Sequence, residues 1–491
     1  MEGSRKKYLE IWWDGIKSLP QTTSIHGFRF IADSNKHWLE RIFWLIFVIL
    51  SWYGSSLLIA AQYDAFQNNP ISFVVETAYK DWDTHFPSIA ICENDNPKRI
   101  EEISDRLWGS DHDFNMEEVL KELAYFKGVT YYISEFCGLD DPLPDCIKSN
   151  FTHYAHMVRS ICEETIADCA WNDQTFDCCT YFRPMDTELG TCYAINTMQG
   201  REVNPPRFPM ISNRTTGPGA LSFKVMITGN VYIMNEEEVP ALTTTGSDIM
   251  VVGPEIYHRR YISIRNIEND AGARMIAPKK RKCRYTDENF VDIYRHYSYT
   301  ACTVQCRKEA QLRLCNCSNY FIPNVAEHLK CNLSGIICLN NNVNVLSVLK
   351  ASWSSRDGLY CDCLPSCTEA EITIVNDFKD VTTDSFARVQ IHLAMLPSER
   401  YRRNVVRGVL DLVVSTGGTG GLFIGASILS FVELIYILLI RPFCGMWSQR
   451  DDDPWYKKFG TRRIEDNKFI PNWSWAYFKP KSVKLNKYVS R

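Results

Sequence analysis

The sequence predicts an α+β membrane protein: two transmembrane helices flanking a large, disulfide-rich extracellular domain with a β-rich core. Three observations carry this. Two apolar runs lie near opposite ends of the chain. Eighteen of the nineteen cysteines fall between them, from Cys92 to Cys367. The outer flanks of both runs are rich in lysine and arginine.

The first run, Ile42–Ala61, has twenty residues and no charge. At helical rise it covers ~30 Å, the thickness of a bilayer core. It starts forty residues in and is too long for the apolar part of a cleaved signal. The second run, Leu412–Ile440, has twenty-nine residues and one charge, Glu433. Fully helical it would reach ~43 Å, so it must tilt, break or extend past the lipid. A mean hydropathy of −0.22 is too polar for a bundle of many membrane helices. A net charge of −4 gives no pointer to nucleic acid. There is no Walker loop, HExxH or GxSxG pattern, and no nucleophile, base and acid at mechanistic spacing. An enzyme, a cofactor and a metal site are therefore not expected.

Topology follows from charge. Arg5, Lys6, Lys7, Lys17, Arg29, Lys36 and Arg41 precede the first run; Arg441, Arg450, Lys457, Lys458, Arg462 and Arg463 follow the second. Cations near span ends stay cytosolic. The expected layout is a cytosolic tail (1–41), a span (42–61), an extracellular domain (62–404), a pre-span segment with the second span (405–440) and a cytosolic tail (441–491), in a plasma membrane. Cys444 and a triplet at Asn472 fall in the last tail. Four glycosylation triplets lie in the middle segment, at Asn150, Asn213, Asn316 and Asn332.

Within the extracellular part, residues 85–92 (HFPSIAIC) read as a strand. Glu93–Glu122 holds ten acidic residues against four basic ones, most simply a solvated face. Asn115 with Glu118 predicts a capped helix over about 116–127, stopped by Gly128. Residues 221–264 alternate β-branched and aromatic residues between Gly and Pro breaks, predicting strands. Cys302 and Cys306 are four apart in a run of helix formers, so on a helix they share a face about 6 Å apart. Cys361 and Cys363 are two apart, sharing a strand face at about 6.6 Å. The matched spacings allow two side-by-side bridges between a helix and an extended segment. Zinc is the rival reading, but the cysteine count and the triplets among these cysteines favour disulfides.

In GGTGGLFIGAS (417–427), Gly417, Gly421 and Gly425 recur every four residues, a pattern that lets membrane helices approach closely. Beyond them lie Ser427, Ser430 and Glu433, which lipid would penalise. The helix is expected to break at Gly425-Ala426-Ser427, because non-helical backbone at membrane depth is tolerated only where it lines water or is buried in protein.

Several separated stretches resemble the degenerin/epithelial sodium channel family. They are His26-Gly27 ahead of the first run, FPSIAIC (86–92), ELGTCYAIN (188–196), the 302–317 cysteines with YCDCLPSC (360–367), and GGTGGLFIGASILSFVE (417–433). The phrase DCAWNDQTFDCCTYFRP (168–184) is similar to the pickpocket branch. The resemblance implies a homo- or heterotrimer with related subunits, whose second spans line a Na⁺ pore. It also implies a palm, a helical finger (about 93–187) and a helical thumb (about 283–367). It implies the bridges Cys92–Cys192, Cys283–Cys367, Cys302–Cys363, Cys306–Cys361, Cys315–Cys338 and Cys317–Cys331. Cys137, Cys146, Cys162, Cys169, Cys178 and Cys179 remain, with fifteen possible pairings. It further implies a filter at Gly425, Ala426 and Ser427, a gating position at Val414–Ser415, and a gating role for His26-Gly27 through a glycine-enabled turn. Glu433 would concentrate cations at the cytosolic mouth. An amiloride-sensitive type of sodium channel subunit is the leading expectation. The alternative is a non-conducting two-span receptor or a modulatory subunit that needs other family members. A trimeric two-span channel of the ATP-gated kind shares the topology but not the cysteine pattern.

Overall fold

Alternating apolar residues in the middle of the chain build four β-sheets, all within Asp64–Asp411, one of two compact units. The other unit gathers Met1–Tyr63 with Leu412–Arg491. The computed structural model describes residues 25–77, 82–138, 146–202 and 205–440. Cys444, the Asn472 triplet and the basic residues before 25 and after 440 lie outside them.

In the first unit a six-stranded sheet runs in the order Glu371–Val381, Ile256–Arg265, Ala387–Leu393, Ala220–Val225, Ile166–Trp171, Gln174–Phe176. A five-stranded sheet runs Ile249–Val252, Thr228–Met234, Ser88–Asp95, Gly190–Ile195, Phe182–Thr187. Ser88–Asp95 is central and buried on both faces over its first six residues, which explains its unbroken apolar reading. Its alternate residues serve two cores. Ile89 and Ile91 pack with Leu221, Phe223, Val389 and Ile391 between the sheets. Ala90 and Cys92 face the other way, in a cluster with Ala301 and Val304. Each such buried Ile, Leu or Phe contributes roughly 1.5–3 kcal/mol. A third sheet orders Ile71–Glu76, Arg400–Val405 and Ile267–Asn269. His85 begins the expected strand region but pairs separately, with Ile211.

Helices occupy the two inserted regions. Pro97–Trp108 starts on Asn96, whose side chain accepts from the Arg99 amide, with proline in the first turn. The helix expected over 116–127 runs Phe114–Ala124 instead. Its cap is Asp113, not Asn115: Asp113 accepts from the Asn115 amide at 3.1 Å, and Asn115 lies inside the first turn. The earlier start brings Met116 into the buried stripe with Val119, Leu120 and Leu123. The excursion from 97 to 159 closes on itself. The Ser160 amide and hydroxyl bond Glu93 at 2.9 and 2.7 Å, and Asn96 donates to the Ser160 hydroxyl at 3.0 Å. Arg159, fully buried, donates to the carbonyls of Ala124 (2.9 Å), Thr191 (3.3 Å) and Leu189 (2.5 Å).

Tyr299–Cys315 is capped by Ser298, which accepts from the Ala301 amide. Its Arg307 is buried against Glu188 at 2.5 Å, both side chains 1% exposed. All eighteen described cysteines are bridged. The structure joins Cys92–Cys192, Cys283–Cys367, Cys302–Cys363, Cys306–Cys361, Cys315–Cys338 and Cys317–Cys331. It pairs the other six as Cys137–Cys146, Cys162–Cys179 and Cys169–Cys178.

In the second unit, one helix, Trp38–Asn68, is long and apolar enough to cross a membrane. It extends the twenty-residue run at both ends to thirty-one residues, its last five in the first unit. Val409–Ile424 and Ile428–Ile440 together meet the same criterion, bent by 73° at the break between them.

Candidate functional site

The break is made by two local rules meeting. Gly425 ends the first helix in a left-handed conformation, φ 71°, and its amide bonds the Gly421 carbonyl at 3.1 Å. The Ala426 amide also bonds back, to the Gly420 carbonyl at 3.2 Å, so two amides close the helix end around a left-handed residue, a conformation glycine adopts without a Cβ penalty. Ser427 then starts the next helix. Its hydroxyl accepts from the Ser430 amide at 3.2 Å, and the Ser430 hydroxyl accepts from the Ser427 amide at 3.1 Å. Ser430 is 3% exposed, so its polarity is spent on the cap. The spacing Ser427-x-x-Ser430 is a capping signal that a pore-centred reading passes over.

His26 sits directly on this break. Its amide donates to the Ile424 carbonyl at 3.0 Å, one of the acceptors a helix end leaves open. Its ring lies against the backbone of Gly425, where an added Cβ would meet ring atoms at 2.5–2.7 Å. Gly425 is thus required twice, for its φ and for the space His26 fills. Gly27 has φ 89° and packs against Val48 of the first apolar helix. The turn it permits lays Phe28 edge-on to Trp52 and stacks Phe30 on Trp44 at 4.5 Å. Gln62 donates to the Thr419 hydroxyl at 3.0 Å, and Gly54 faces Phe423. The two apolar segments are thereby held together around the break.

Among the described residues, no backbone donor bonds the carbonyls of Gly425 and Ala426. Thr416 and Thr419 turn their hydroxyls inward, to the carbonyls of Leu412 and Ser415. Side chains added at Gly417, Gly418 or Gly420 would meet nothing within 4 Å, and at Gly421 only the Ala426 carbonyl at 3.8 Å. Among the described residues, no helix packs on the face these glycines leave open. Val414 is 65% exposed and Ser415 is exposed beside it. Glu433 is half-buried on the helix after the break, two turns from Ser427.

The Asp64–Asp411 unit holds a second concentration of charge that the sequence reading missed. A cavity of about 340 Å³ is lined by Glu238, Glu369, Asp248, Arg260, Tyr232 and Tyr299, among others. Glu238 accepts from the amides of Tyr299 and Thr300 at 3.2 and 3.1 Å and from the Thr300 hydroxyl, at the start of the Tyr299–Cys315 helix. Burial first, then the nearby Glu369 carboxylate, pushes its carboxyl up to about 8. Glu369 is raised as well, by burial and then by Glu237. Arg260 is engaged by Asp377 at 2.7 Å. In the acidic segment 93–122, His112 contacts Glu117 and Asp105 at 2.9 and 3.4 Å. Among the described residues, no group of three or more His, Cys, Asp or Glu side chains is arranged to hold a metal ion.

Asn150, Asn316 and Asn332 are exposed, and Asn213 is half-buried. Asn332 accepts from the Gly335 amide through its carbonyl oxygen, and Asn213 donates to Asp83 at 2.9 Å.

A family model described as amiloride-sensitive sodium channel matches residues 19–437. Pickpocket protein 19 of Drosophila melanogaster is 23% identical over 463 residues, covering 85% of this chain and 88% of its own. Sodium channel protein Nach of Drosophila ananassae is 22% identical, covering 84% of each chain. Acid-sensing ion channel 4-B of Danio rerio is 25% identical over 172 residues, 31% of this chain and 29% of its own.

Proposed function

Because this chain belongs to the amiloride-sensitive sodium channel family, as a pickpocket-like member of the degenerin/epithelial sodium channel group, we propose that it is a subunit of a trimeric, amiloride-sensitive type of plasma-membrane channel that conducts Na⁺ down its gradient. The family consists of ion channels, which sets an enzyme aside. Residues 42–61 form the first span and 405–440 the approach and second span. Residues 62–404 are extracellular, with the finger over about 93–187 and the thumb over about 283–367. Residues 1–41 and 441–491 are cytosolic, and Asn150, Asn213, Asn316 and Asn332 carry glycans.

One observation carries the reading. At Gly425-Ala426-Ser427 an apolar segment turns by 73° and leaves two backbone carbonyls without backbone donors among the described residues. Open carbonyls in lipid are costly, each by several kcal/mol, so they must face water, protein or an ion. Three copies would offer a ring of carbonyls to a dehydrating cation, an arrangement filters use generally. The Ser427 hydroxyl already accepts the helix cap, so it would contribute to an ion as a secondary ligand. Gly417 and Gly421 would let neighbouring copies close in above the ring. Val414 and Ser415 would sit at the gate, and Glu433 would raise cation concentration below it. His26 and Gly27 would couple the N-terminal segment to the filter.

Whole-cell recording from this chain, with Gly425→Cys as the probe, tests the proposal. An amiloride-sensitive inward Na⁺ current altered by Gly425→Cys is expected. Surface delivery without current, alone and with related subunits, would replace the channel by a non-conducting receptor. Current only with related subunits, still altered by Gly425→Cys, makes it an obligate heteromer.

A further inference from the structure

The extracellular unit carries a basic loop, Ala271–Lys282, that the channel reading leaves without a task. It places Arg274, Lys279, Lys280, Arg281 and Lys282 within nine positions and contains no acidic residue. Two of these cations fasten the loop. Arg281 is buried, pairs with Glu288, and donates to the carbonyls of Ile276 (2.9 Å), Cys283 (3.0 Å) and Arg274 (3.4 Å). Arg274 pairs with Asp287 at 2.6 Å and lies over the Tyr285 ring. The other three, Lys279, Lys280 and Lys282, are exposed, and none has a carboxylate within ion-pair distance among the described residues. Met275, at 90% exposure, is the most exposed large apolar side chain described. A pinned loop that presents one apolar side chain and three ammonium groups with no carboxylate partner among the described residues is built for a surface with both characters.

Its height agrees. Lys280 donates to Gln67 at 2.5 Å and lies over Phe66 at 5.5 Å. Gln67 is six residues past Ala61, the end of the uncharged run, so it stands ~9 Å beyond the hydrocarbon edge. The headgroup layer adds about 5–7 Å on each side of the core. A lysine stem spans the remainder while keeping its ammonium at phosphate level. Gly272 packs against Val405, four residues before the second apolar helix begins, so the loop touches both chain exits.

We propose that this loop rests on the outer leaflet, with Met275 at the headgroup–acyl boundary and Lys279, Lys280 and Lys282 on lipid phosphates. The inference rests on the reading of Trp38–Asn68 as a span. It commits to lipid because the loop's apolar tip and its bond to Gln67, six residues past the uncharged run, suit a bilayer better than a soluble acidic partner.

The test is hydroxyl-radical footprinting of the full chain in nanodiscs, of phosphatidylcholine alone or mixed equally with phosphatidylglycerol. Met275 is compared with Met395, also exposed. Tyr53, in the span, is compared with Tyr131, exposed in the extracellular unit. Several-fold slower oxidation of Met275, strengthened by phosphatidylglycerol, is expected. High salt should reverse the added protection in the unmodified protein, and the triple charge reversal Lys279→Glu, Lys280→Glu, Lys282→Glu should reverse it at low salt. A protected Tyr53 beside a freely oxidised Met275 overturns the inference and leaves the span intact. A freely oxidised Tyr53 overturns the span itself.

Discussion

Two helices of this protein are secured in opposite ways. Tyr299–Cys315 is held covalently: Cys302, Cys306 and Cys315 on the helix, and Cys317 just beyond it, all enter bridges. A buried ion pair, Arg307–Glu188, adds to these. The segment from Val409 to Ile435 has no covalent tie among its described residues. It is shaped by one left-handed glycine, one serine pair and the His26 amide. The first helix can act as a rigid lever, because its ends cannot move independently. The second is joined at a point where a few bonds, each worth about 1 kcal/mol, set the geometry. A gate belongs in the second kind of structure.

The contrast can be broken at several points. Glu188→Ala should have the largest effect, destabilising the Asp64–Asp411 unit by about 3–5 kcal/mol, because it leaves the Arg307 cation buried without its partner. Thermal unfolding of the purified protein would show it, and an unchanged transition would mean the pair is not buried in solution. Removing both Cys302–Cys363 and Cys306–Cys361 should cost about 4 kcal/mol, and removing either alone only about 1, since the surviving bridge still closes the long loop. Single losses that add up to the double loss would show that the two bridges do not act as one clasp.

The third effect is a slope with pH. Glu238 titrates near 8 in the fold, against 4.5 as its ordinary value. A raised carboxyl contributes full stability below about 4.5 and loses it as pH climbs through about 8. The Asp64–Asp411 unit should therefore melt higher at pH 6 than at pH 9, and Glu238→Gln should flatten that difference. A slope that survives the substitution would assign it elsewhere. The smallest effect belongs to the break: Ser430→Ala should loosen the cap by about 1 kcal/mol. Faster amide exchange confined to the first turn after Ser427 is the expected sign; no change would mean that the cap is redundant.

The sequence exposes the clasp and hides the finger for physical reasons. Cys302 and Cys306 carry the helical period, and Cys361 and Cys363 the strand period, so spacing allows two side-by-side bridges, and the family resemblance says which cysteine meets which. Cys162, Cys169, Cys178 and Cys179 carry neither. Their partners depend on the tight turn at Asn172 and Asp173, both left-handed at φ 47° and 65°, which folds Ile166–Trp171 back onto Gln174–Phe176. The helix start at Asp113 was misread because Asn115 offers the same chemistry two residues later. The position of the bend was legible in Gly425. Its stitching by Ser430 and His26 was not, since neither residue is marked by periodicity. Glu238 and Glu369 escaped because no local pattern signals that distant carboxylates share a cavity.

The closed excursion between Asn96 and Ser160 has a consequence for engineering. Its two ends are already fastened to each other by Glu93 and by the Asn96–Ser160 hydrogen bond. A graft that replaces what lies between them inherits a preformed socket, and the central strand beneath need not be redesigned. Swapping this cassette between family members would exchange residues 97–159 while leaving the Ser88–Asp95 strand beneath them unchanged.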